Sequence, residues 1–153
     1  MAVYAQAAND AIRDVPDDMT VAIHTCRGNF RSTWLAKGGY DYVAETAFSR
    51  IDVDGFFLEY DDERSGGFEP LRHIPKGKRV VLGLVSSKVP ALESLDFLRK
   101  RIDEAGRHID LARTGISPQC GFASTMGGNP VTEADERAKL RLCVEAARAL
   151  WGE

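Results

Sequence analysis

The sequence predicts an α/β fold, in which helices cover a sheet of parallel strands, organised as a single domain over residues 1–153. Three observations lead to this prediction. Helical and strand-like segments alternate along the chain, the strand-like segments are continuously apolar, and 153 residues is the usual length of one domain. Strands that are apolar on both faces are typical of parallel sheets, because helices cover them.

Four strands are predicted from short runs that are rich in β-branched and aromatic residues. They cover residues 19–24, 55–58, 79–85 and 114–117. The run over residues 79–85, with the sequence RVVLGLV, is the most strand-like, and the run over residues 114–117 is the weakest. The prediction of a parallel sheet rests on these four runs.

Four helices are predicted from apolar residues at helical spacing. They cover residues 1–14, 41–48, 91–109 and 132–151. The last helix begins with a capping box, because Thr132 is followed three residues later by Asp135. We expect Leu92, Leu140 and Val144 to lie on the core-facing sides of the last two helices.

The alternating units fit two architectures, an open doubly wound sheet or half of an eight-stranded (β/α)8 barrel. A complete barrel typically needs about 250 residues, so this chain of 153 residues is too short for one. In both architectures, functional side chains lie in the loops that follow the carboxyl ends of the strands. The candidate functional residues are therefore to be sought in these loops.

Composition excludes several classes of function. The net charge is −3 and the basic residues are scattered, which argues against binding to nucleic acid or to an anionic membrane. The chain has no apolar run of membrane-spanning length and no signal-peptide pattern at its start, so we expect a cytoplasmic protein. The three cysteines are far apart in sequence, which favours free thiols or metal ligands over disulfides. Of these, Cys143 is expected to be a buried thiol in the last helix.

Possible metal ligands follow three of the predicted strands. His24 and Cys26 are separated by one residue, so in an extended strand end their side chains point to the same side. Glu59 and Cys120 follow other strands and could complete a tetrahedral set. Because thiolate and imidazole ligands favour zinc over magnesium or calcium, the predicted metal is zinc. The same strand ends also carry Ser86, Ser87 and three candidates for a catalytic role, Asp61, Asp62 and Lys88.

Three runs in this order resemble the C-terminal catalytic barrel of the cobalamin-independent methionine synthases. They are IHTCRGN at 23–29, FLEYDD at 57–62 and ISPQCGF at 116–122. The resemblance is stronger to short bacterial relatives of that enzyme and extends from about residue 19 to residue 151. It implies a TIM-type (β/α)8 barrel, of which this chain corresponds to the C-terminal half.

The resemblance also implies a function. In the family, the matching residues bind catalytic zinc, which assigns the ligand roles to His24, Cys26, Glu59 and Cys120. Zinc activates the thiol of homocysteine for methyl transfer from methyltetrahydrofolate in methionine biosynthesis, and no other cofactor is expected. The larger enzymes carry a histidine, the candidate proton donor, at the position where this chain has Val85. The methyl donor and the acid are therefore open, and another thiol acceptor or alkyl donor is an alternative.

A second hypothesis is a non-catalytic or incomplete zinc-binding subunit. Half a barrel leaves two open sheet edges and an uncovered inner face, which pairing with another chain would cover. We therefore expect the protein to form a homo-oligomer or to bind a complementing N-terminal half-barrel.

Overall fold

The computed structural model describes residues 1–152, and four of its segments form one parallel sheet. The strands are β1 (Ala22–Thr25), β2 (Gly55–Glu59), β3 (Arg79–Val85) and β4 (Thr114–Pro118). Their order in the sheet is β1-β2-β3-β4, so every strand pairs with the next one along the chain. The predicted α/β class with a parallel sheet is confirmed.

Within residues 1–152, four helices and three short 3₁₀ turns connect or flank these strands. The helices are α1 (Ala2–Ile12), α2 (Asp41–Arg50), α3 (Leu95–Ala105) and α4 (Glu133–Trp151), and the turns cover Glu63–Ser65, Glu69–His73 and Leu111–Arg113. Since the strand order never reverses, right-handed crossovers place the connecting helices on one face of the sheet. This arrangement is that of a half-barrel and differs from a doubly wound sheet, in which the order reverses.

The two faces of the sheet differ in burial. On the helix-covered face, the side chains of Phe56, Leu58, Val80 and Leu82 are buried, and the ring of Phe48 from α2 packs edge-on against Phe56 with 5.1 Å between centroids. His24, Phe57, Val81 and Gly115 are in register across the other face. Phe57 is 37% exposed there, although it lies in the middle of a central strand. The second face is therefore open, as expected for the inner side of a half-barrel.

Three predicted element boundaries are wrong by three or more residues: the start of β1, the start of α3, and the end of α3, which lies at Ala105 and not at residue 109. Strand β1 begins at Ala22 and not at residue 19, because the Met19 N–H donates to the carbonyl of Pro16 in a turn. Helix α3 begins at Leu95 and not at residue 91, because the hydroxyl of Ser94 accepts the N–H of Phe97 at 3.1 Å and caps the helix there. The capping box of Thr132 and Asp135 at the start of α4 is present as predicted.

The predicted core-facing positions of the last two helices need correction. Leu92 lies outside α3 and is exposed, and Leu140 and Val144 lie on the exposed side of α4. The buried side of α4 instead consists of Lys139, Leu142, Cys143 and Ala146. The helix thus packs through a second apolar row, Leu142, Cys143 and Ala146, together with the buried Lys139, and not through the row of Leu140 and Val144. The expected burial of Cys143 is confirmed.

Lys139 anchors the segment that follows β3. Its fully buried ammonium donates to the carbonyl of Ala91 at 2.6 Å and lies 3.3 Å from a carboxylate oxygen of Glu93. The other carboxylate oxygen of Glu93 accepts the backbone N–H of Ser86 at 2.8 Å. Helix α4 thereby fixes the loop between β3 and α3, which carries polar residues at the carboxyl end of the sheet. Among residues 1–152, none of the helices is long and apolar enough to cross a bilayer.

We predict that Lys139→Met lowers the free energy of unfolding by about 2 kcal/mol, because it removes the donor to the Ala91 carbonyl and leaves the largely buried carboxylate of Glu93 without its paired charge. Methionine retains most of the length of the side chain, so the loss of stability measures mainly the polar contacts of the Lys139 ammonium. Urea unfolding measures the change. The matched control is Lys100→Met on the exposed side of α3, which is expected to change stability by less than about 0.5 kcal/mol. Equal stabilities of the two variants would contradict the anchoring role.

Candidate metal centre

Four predicted ligand residues meet at the carboxyl ends of the strands. The ligand atoms of His24, Cys26, Glu59 and Cys120 all lie within 4.8 Å of one another. The His24 Nε2 atom is 3.5 Å from Glu59 Oε1, and the two cysteine Sγ atoms are 3.9 Å apart. The structure thus brings together a nitrogen, two sulfurs and a carboxylate from three separate strands.

The sheet register explains how β1 and β2 contribute to this cluster. Thr25 pairs with Leu58, so Cys26, the first residue after β1, lies beside Glu59, the last residue of β2. His24 lies on the open face of β1, two residues before Cys26, and its side chain reaches the same space. The alternation predicted from the sequence therefore holds at the end of β1.

Cys120 must reach the cluster across β3, and Gly83 provides the necessary space. A Cβ atom at residue 83 would lie 2.8 Å from the Cα of Gln119 and 3.1 Å from the carbonyl oxygen of Leu58. The pairing of β3 with β4 also shifts register between Gly83 and Val85. A glycine at this position thus allows the segment after β4 to approach β2 and brings Cys120 next to Glu59. A glycine inside a strand run is the sequence signal for such a close approach.

Glu59 has the most constrained side chain of the cluster. It is fully buried, and neither of its carboxylate oxygens has a hydrogen-bond partner among the described residues. The guanidinium of Arg64 is 3.9 Å from Oε2, which is an ion-pair distance and not a hydrogen bond. Burying an ionised carboxylate without donors is costly unless a cation neutralises it. The donor set suits zinc, which takes imidazole nitrogen, thiolate sulfur and carboxylate oxygen in a tetrahedron.

The backbone of Glu59 is held by a residue that the sequence analysis did not identify. Its N–H donates to the phenol oxygen of Tyr40 at 2.9 Å, at a point where β1 has ended and offers no further strand partner. The guanidinium of Arg27 stacks 4.2 Å above the Tyr40 ring and donates to the carbonyl of Gly38. Burial raises the pKa of the Tyr40 phenol, which keeps it neutral. No pattern in the sequence links Tyr40 to a strand end nineteen residues later.

The cysteine thiols differ in their surroundings. Burial raises the pKa of the Cys26 thiol, and the neighbouring Cys120 and Glu59 raise it further, while the Gly28 N–H, which donates to Sγ at 3.3 Å, lowers it. Without a cation, the cluster therefore disfavours the thiolate form of Cys26. Burial also raises the pKa of Cys143 to about 11, in keeping with a packing role away from the cluster.

The three further candidates, Asp61, Asp62 and Lys88, lie next to the cluster and differ in their burial and in their hydrogen bonds. Asp61 is buried and accepts hydrogen bonds from Arg64 at 3.1 Å and from the Ser86 hydroxyl at 3.0 Å. Asp62 is partly exposed and accepts the N–H of Arg64 at 3.0 Å, which caps the turn over Glu63–Ser65. Lys88 is 6% exposed. Its ammonium is 3.9 Å from Asp61 and makes no hydrogen bond to a described residue.

Two proteins of Bacillus subtilis (strain 168), the uncharacterized proteins YxjG and YxjH, resemble this chain in sequence. They are 55% and 52% identical to it over 150 and 151 residues. The matches cover 97% and 98% of this chain but 40% of each relative. The chain thus spans about two fifths of the length of these curated relatives.

Two solved structures have the same fold over almost the whole chain. One, from Listeria monocytogenes, is described as a putative vitamin-B12 independent methionine synthase. The match has a TM-score of 0.74 at 33% sequence identity, and it covers 98% of this chain and 41% of the Listeria chain. The other is a B12-independent methionine synthase from Shewanella sp. W3-18-1. This match has a TM-score of 0.73 at 19% sequence identity and covers 99% of this chain and 46% of the Shewanella chain. The second likeness supports the fold alone.

A family profile described as the catalytic domain of cobalamin-independent synthase matches residues 2–149. This range includes the four strands and the four residues of the cluster. The match agrees with the resemblance seen in the three sequence runs. The chain therefore belongs to the cobalamin-independent methionine synthase family, in the part that the catalytic-domain profile describes.

Proposed function

We propose that this chain binds zinc through His24, Cys26, Glu59 and Cys120 and uses the site to activate a thiol for alkylation. The observation that carries the proposal is the meeting of these four ligand atoms within 4.8 Å around a buried carboxylate that has no hydrogen-bond partner in the described part of the chain. A divalent cation at this point would neutralise Glu59 and favour the thiolate forms of both cysteines. Cysteines of this kind suit the reducing cytoplasm.

The chemistry of the site follows from its ligand charges. Bound zinc lowers the pKa of a substrate thiol, so that thiolate is present near neutral pH. Two thiolates and one carboxylate place three negative charges around the divalent ion, which keeps electron density on the substrate sulfur. The side chains of Cys26, Cys120 and Glu59 therefore favour a nucleophilic sulfur over a strongly polarised one.

The proposed reaction is methyl transfer to homocysteine from methyltetrahydrofolate, as in methionine biosynthesis. The sulfur forms a bond to the methyl carbon, the bond from that carbon to N5 breaks, and its electron pair remains on N5, which then takes up a proton. Asp61 is a poor source of this proton, because both of its oxygens already accept hydrogen bonds. With Val85 at the position of the family's histidine, another alkyl donor or thiol acceptor is the alternative within this class.

A second candidate function is that of a zinc-binding subunit that needs another chain for activity. Two observations favour it. The chain spans 40% of the length of its curated relatives, and the face that carries His24 and Phe57 is open. A complementing N-terminal half-barrel would cover this face and both sheet edges, and a second copy of the chain is the other possible partner.

We predict about one zinc per chain in the purified protein, and substantial loss of zinc in Cys26→Ser, Cys120→Ser and Glu59→Gln, because each removes one anionic ligand. Elemental analysis after dialysis against a weak chelator measures the content. Cys143→Ser is the matched control, since Cys143 is a buried thiol outside the cluster, and it is expected to retain the metal. Full zinc retention in all three ligand variants would refute the assignment.

We predict that the zinc-loaded chain increases the rate of homocysteine methylation by methyltetrahydrofolate when an N-terminal half-barrel is supplied. Mass spectrometry of the methionine formed measures the rate, with Cys120→Ser as the inactive control. Turnover by the chain alone at the same rate would exclude the incomplete-subunit hypothesis. Methylation that Cys120→Ser leaves unchanged would contradict the proposed thiol activation.

A further inference from the structure

Tyr40 takes the place of a missing strand partner beside Glu59. The ladder between β1 and β2 ends one residue before Glu59. Because the N–H of the next residue, Tyr60, donates to the carbonyl of Gly83 on β3, the N–H of Glu59 points to the opposite side, toward β1. The phenol oxygen of Tyr40 accepts this N–H at 2.9 Å, and its hydroxyl donates to the Glu59 carbonyl at 3.4 Å. One hydroxyl, which can both accept and donate, therefore serves the two backbone groups that β1 no longer reaches.

This backbone contact matters because the side chain of Glu59 has no hydrogen bond to hold it. Its carboxylate oxygens lack a partner within residues 1–152, and His24 Nε2 and the Arg64 guanidinium lie 3.5 and 3.9 Å away. The direction in which the carboxylate leaves β2 is therefore set by the backbone of Glu59. The ladder with Gly83 holds this backbone on the β3 side, and the Tyr40 hydroxyl holds it on the β1 side.

Tyr40 is also linked to a second candidate ligand. Arg27, which directly follows Cys26, stacks its guanidinium 4.2 Å above the Tyr40 ring and donates to the carbonyl of Gly38. Both side chains of this stacked pair are buried, so water competes little for their contacts. Tyr40 thus connects the strand end that carries Cys26 with the strand end that carries Glu59.

We propose that Tyr40 is a positioning residue of the metal centre, whose hydroxyl fixes the backbone of Glu59 and thereby sets how tightly the cluster binds its metal ion. The proposal rests on the proposed function and deepens it, because it adds a residue outside the ligand set that controls metal binding. Groups that orient a metal ligand typically contribute about 10- to 100-fold to metal affinity. Without the hydroxyl, part of the binding free energy would be spent on ordering the Glu59 carboxylate.

The first test compares zinc affinities, measured by competition with a chromophoric chelator. Tyr40→Phe removes the hydroxyl and keeps the ring on which Arg27 stacks, and we expect it to weaken zinc binding by at least about 10-fold. Tyr60→Phe is the matched control, because its ring is equally buried, lies 5.3 Å from that of Tyr40, and carries a hydroxyl without a hydrogen-bond partner in the described part of the chain. This control should keep the affinity within about 2-fold. Equal affinities of the two variants would overturn the proposal.

The second test determines whether Tyr40 acts through Glu59. Tyr40→Phe is combined with Glu59→Gln, which removes the anionic ligand, and the zinc affinities of the single and double variants form a double-mutant cycle. In the Glu59→Gln background, Tyr40→Phe should weaken zinc binding by less than about 3-fold, because the carboxylate that Tyr40 positions is no longer present. The same loss in both backgrounds would indicate general structural damage and overturn the positioning role.

The third test examines the contact itself in the metal-free chain by hydrogen exchange. Tyr40→Phe should speed exchange of the Glu59 amide by at least about 10-fold, with the amide of Phe57, inside the ladder between β1 and β2, as the reference. Unchanged exchange at Glu59 would overturn the proposal. Equally faster exchange at both amides would overturn it as well, because the whole strand pair would then have loosened.

The affinities also separate the role of Tyr40 from the proposed function. If the unsubstituted chain binds zinc but alkylates no thiol, the proposed thiol activation fails, and the affinities still decide the role of Tyr40. If Tyr40→Phe binds zinc as tightly as the unsubstituted chain, the role of Tyr40 fails and the proposed zinc site stands. An unsubstituted chain that binds no zinc would overturn both.

Discussion

The buried carboxylate of Glu59 is the constraint around which the carboxyl end of the sheet is arranged. It lies at the last position of β2 and has no hydrogen-bond donor among residues 1–152, while His24 and Arg64 are at ion-pair distance. The other ligand atoms of the cluster, a histidine nitrogen and two cysteine sulfurs, lie within 4.8 Å of it, and burial raises the pKa of the Cys26 thiol, as do the neighbouring Cys120 and Glu59. A protein of ordinary stability does not retain such a group without compensation. A divalent cation shared by all four side chains would supply this compensation.

Several residues serve to hold that carboxylate and its neighbours in place. Tyr40 accepts the Glu59 N–H where the β1 ladder has ended, and Gly83 lets the chain after β4 approach β2. On the other side, Lys139 and Glu93 fix the loop that follows β3. The residues that position the cluster thus come from loops, strand β3 and helix α4, while the candidate ligands come from three strand ends.

The sequence was sufficient to predict the parallel sheet and the cluster, since both follow from local patterns. Alternation at the end of β1 aligns His24 with Cys26, and parallel strands bring Glu59 and Cys120 to the same edge. What could not be predicted depends on tertiary contacts. Lys139 is polar in sequence but fully buried, whereas Leu140 and Val144 are apolar and exposed, because α4 packs through its other apolar row. The open inner face was predicted only through the resemblance to a half-barrel, because apolar strands look alike in sequence whether one face or both are covered.

The most direct test of the central claim is X-ray absorption spectroscopy at the zinc edge of the purified protein. The account predicts a four-coordinate site with two sulfur ligands at about 2.3 Å and two nitrogen or oxygen ligands at about 2.0–2.2 Å. Added homocysteine should change this shell by contributing a further sulfur. A shell of nitrogen and oxygen alone would contradict the account, because it would place the metal away from Cys26 and Cys120.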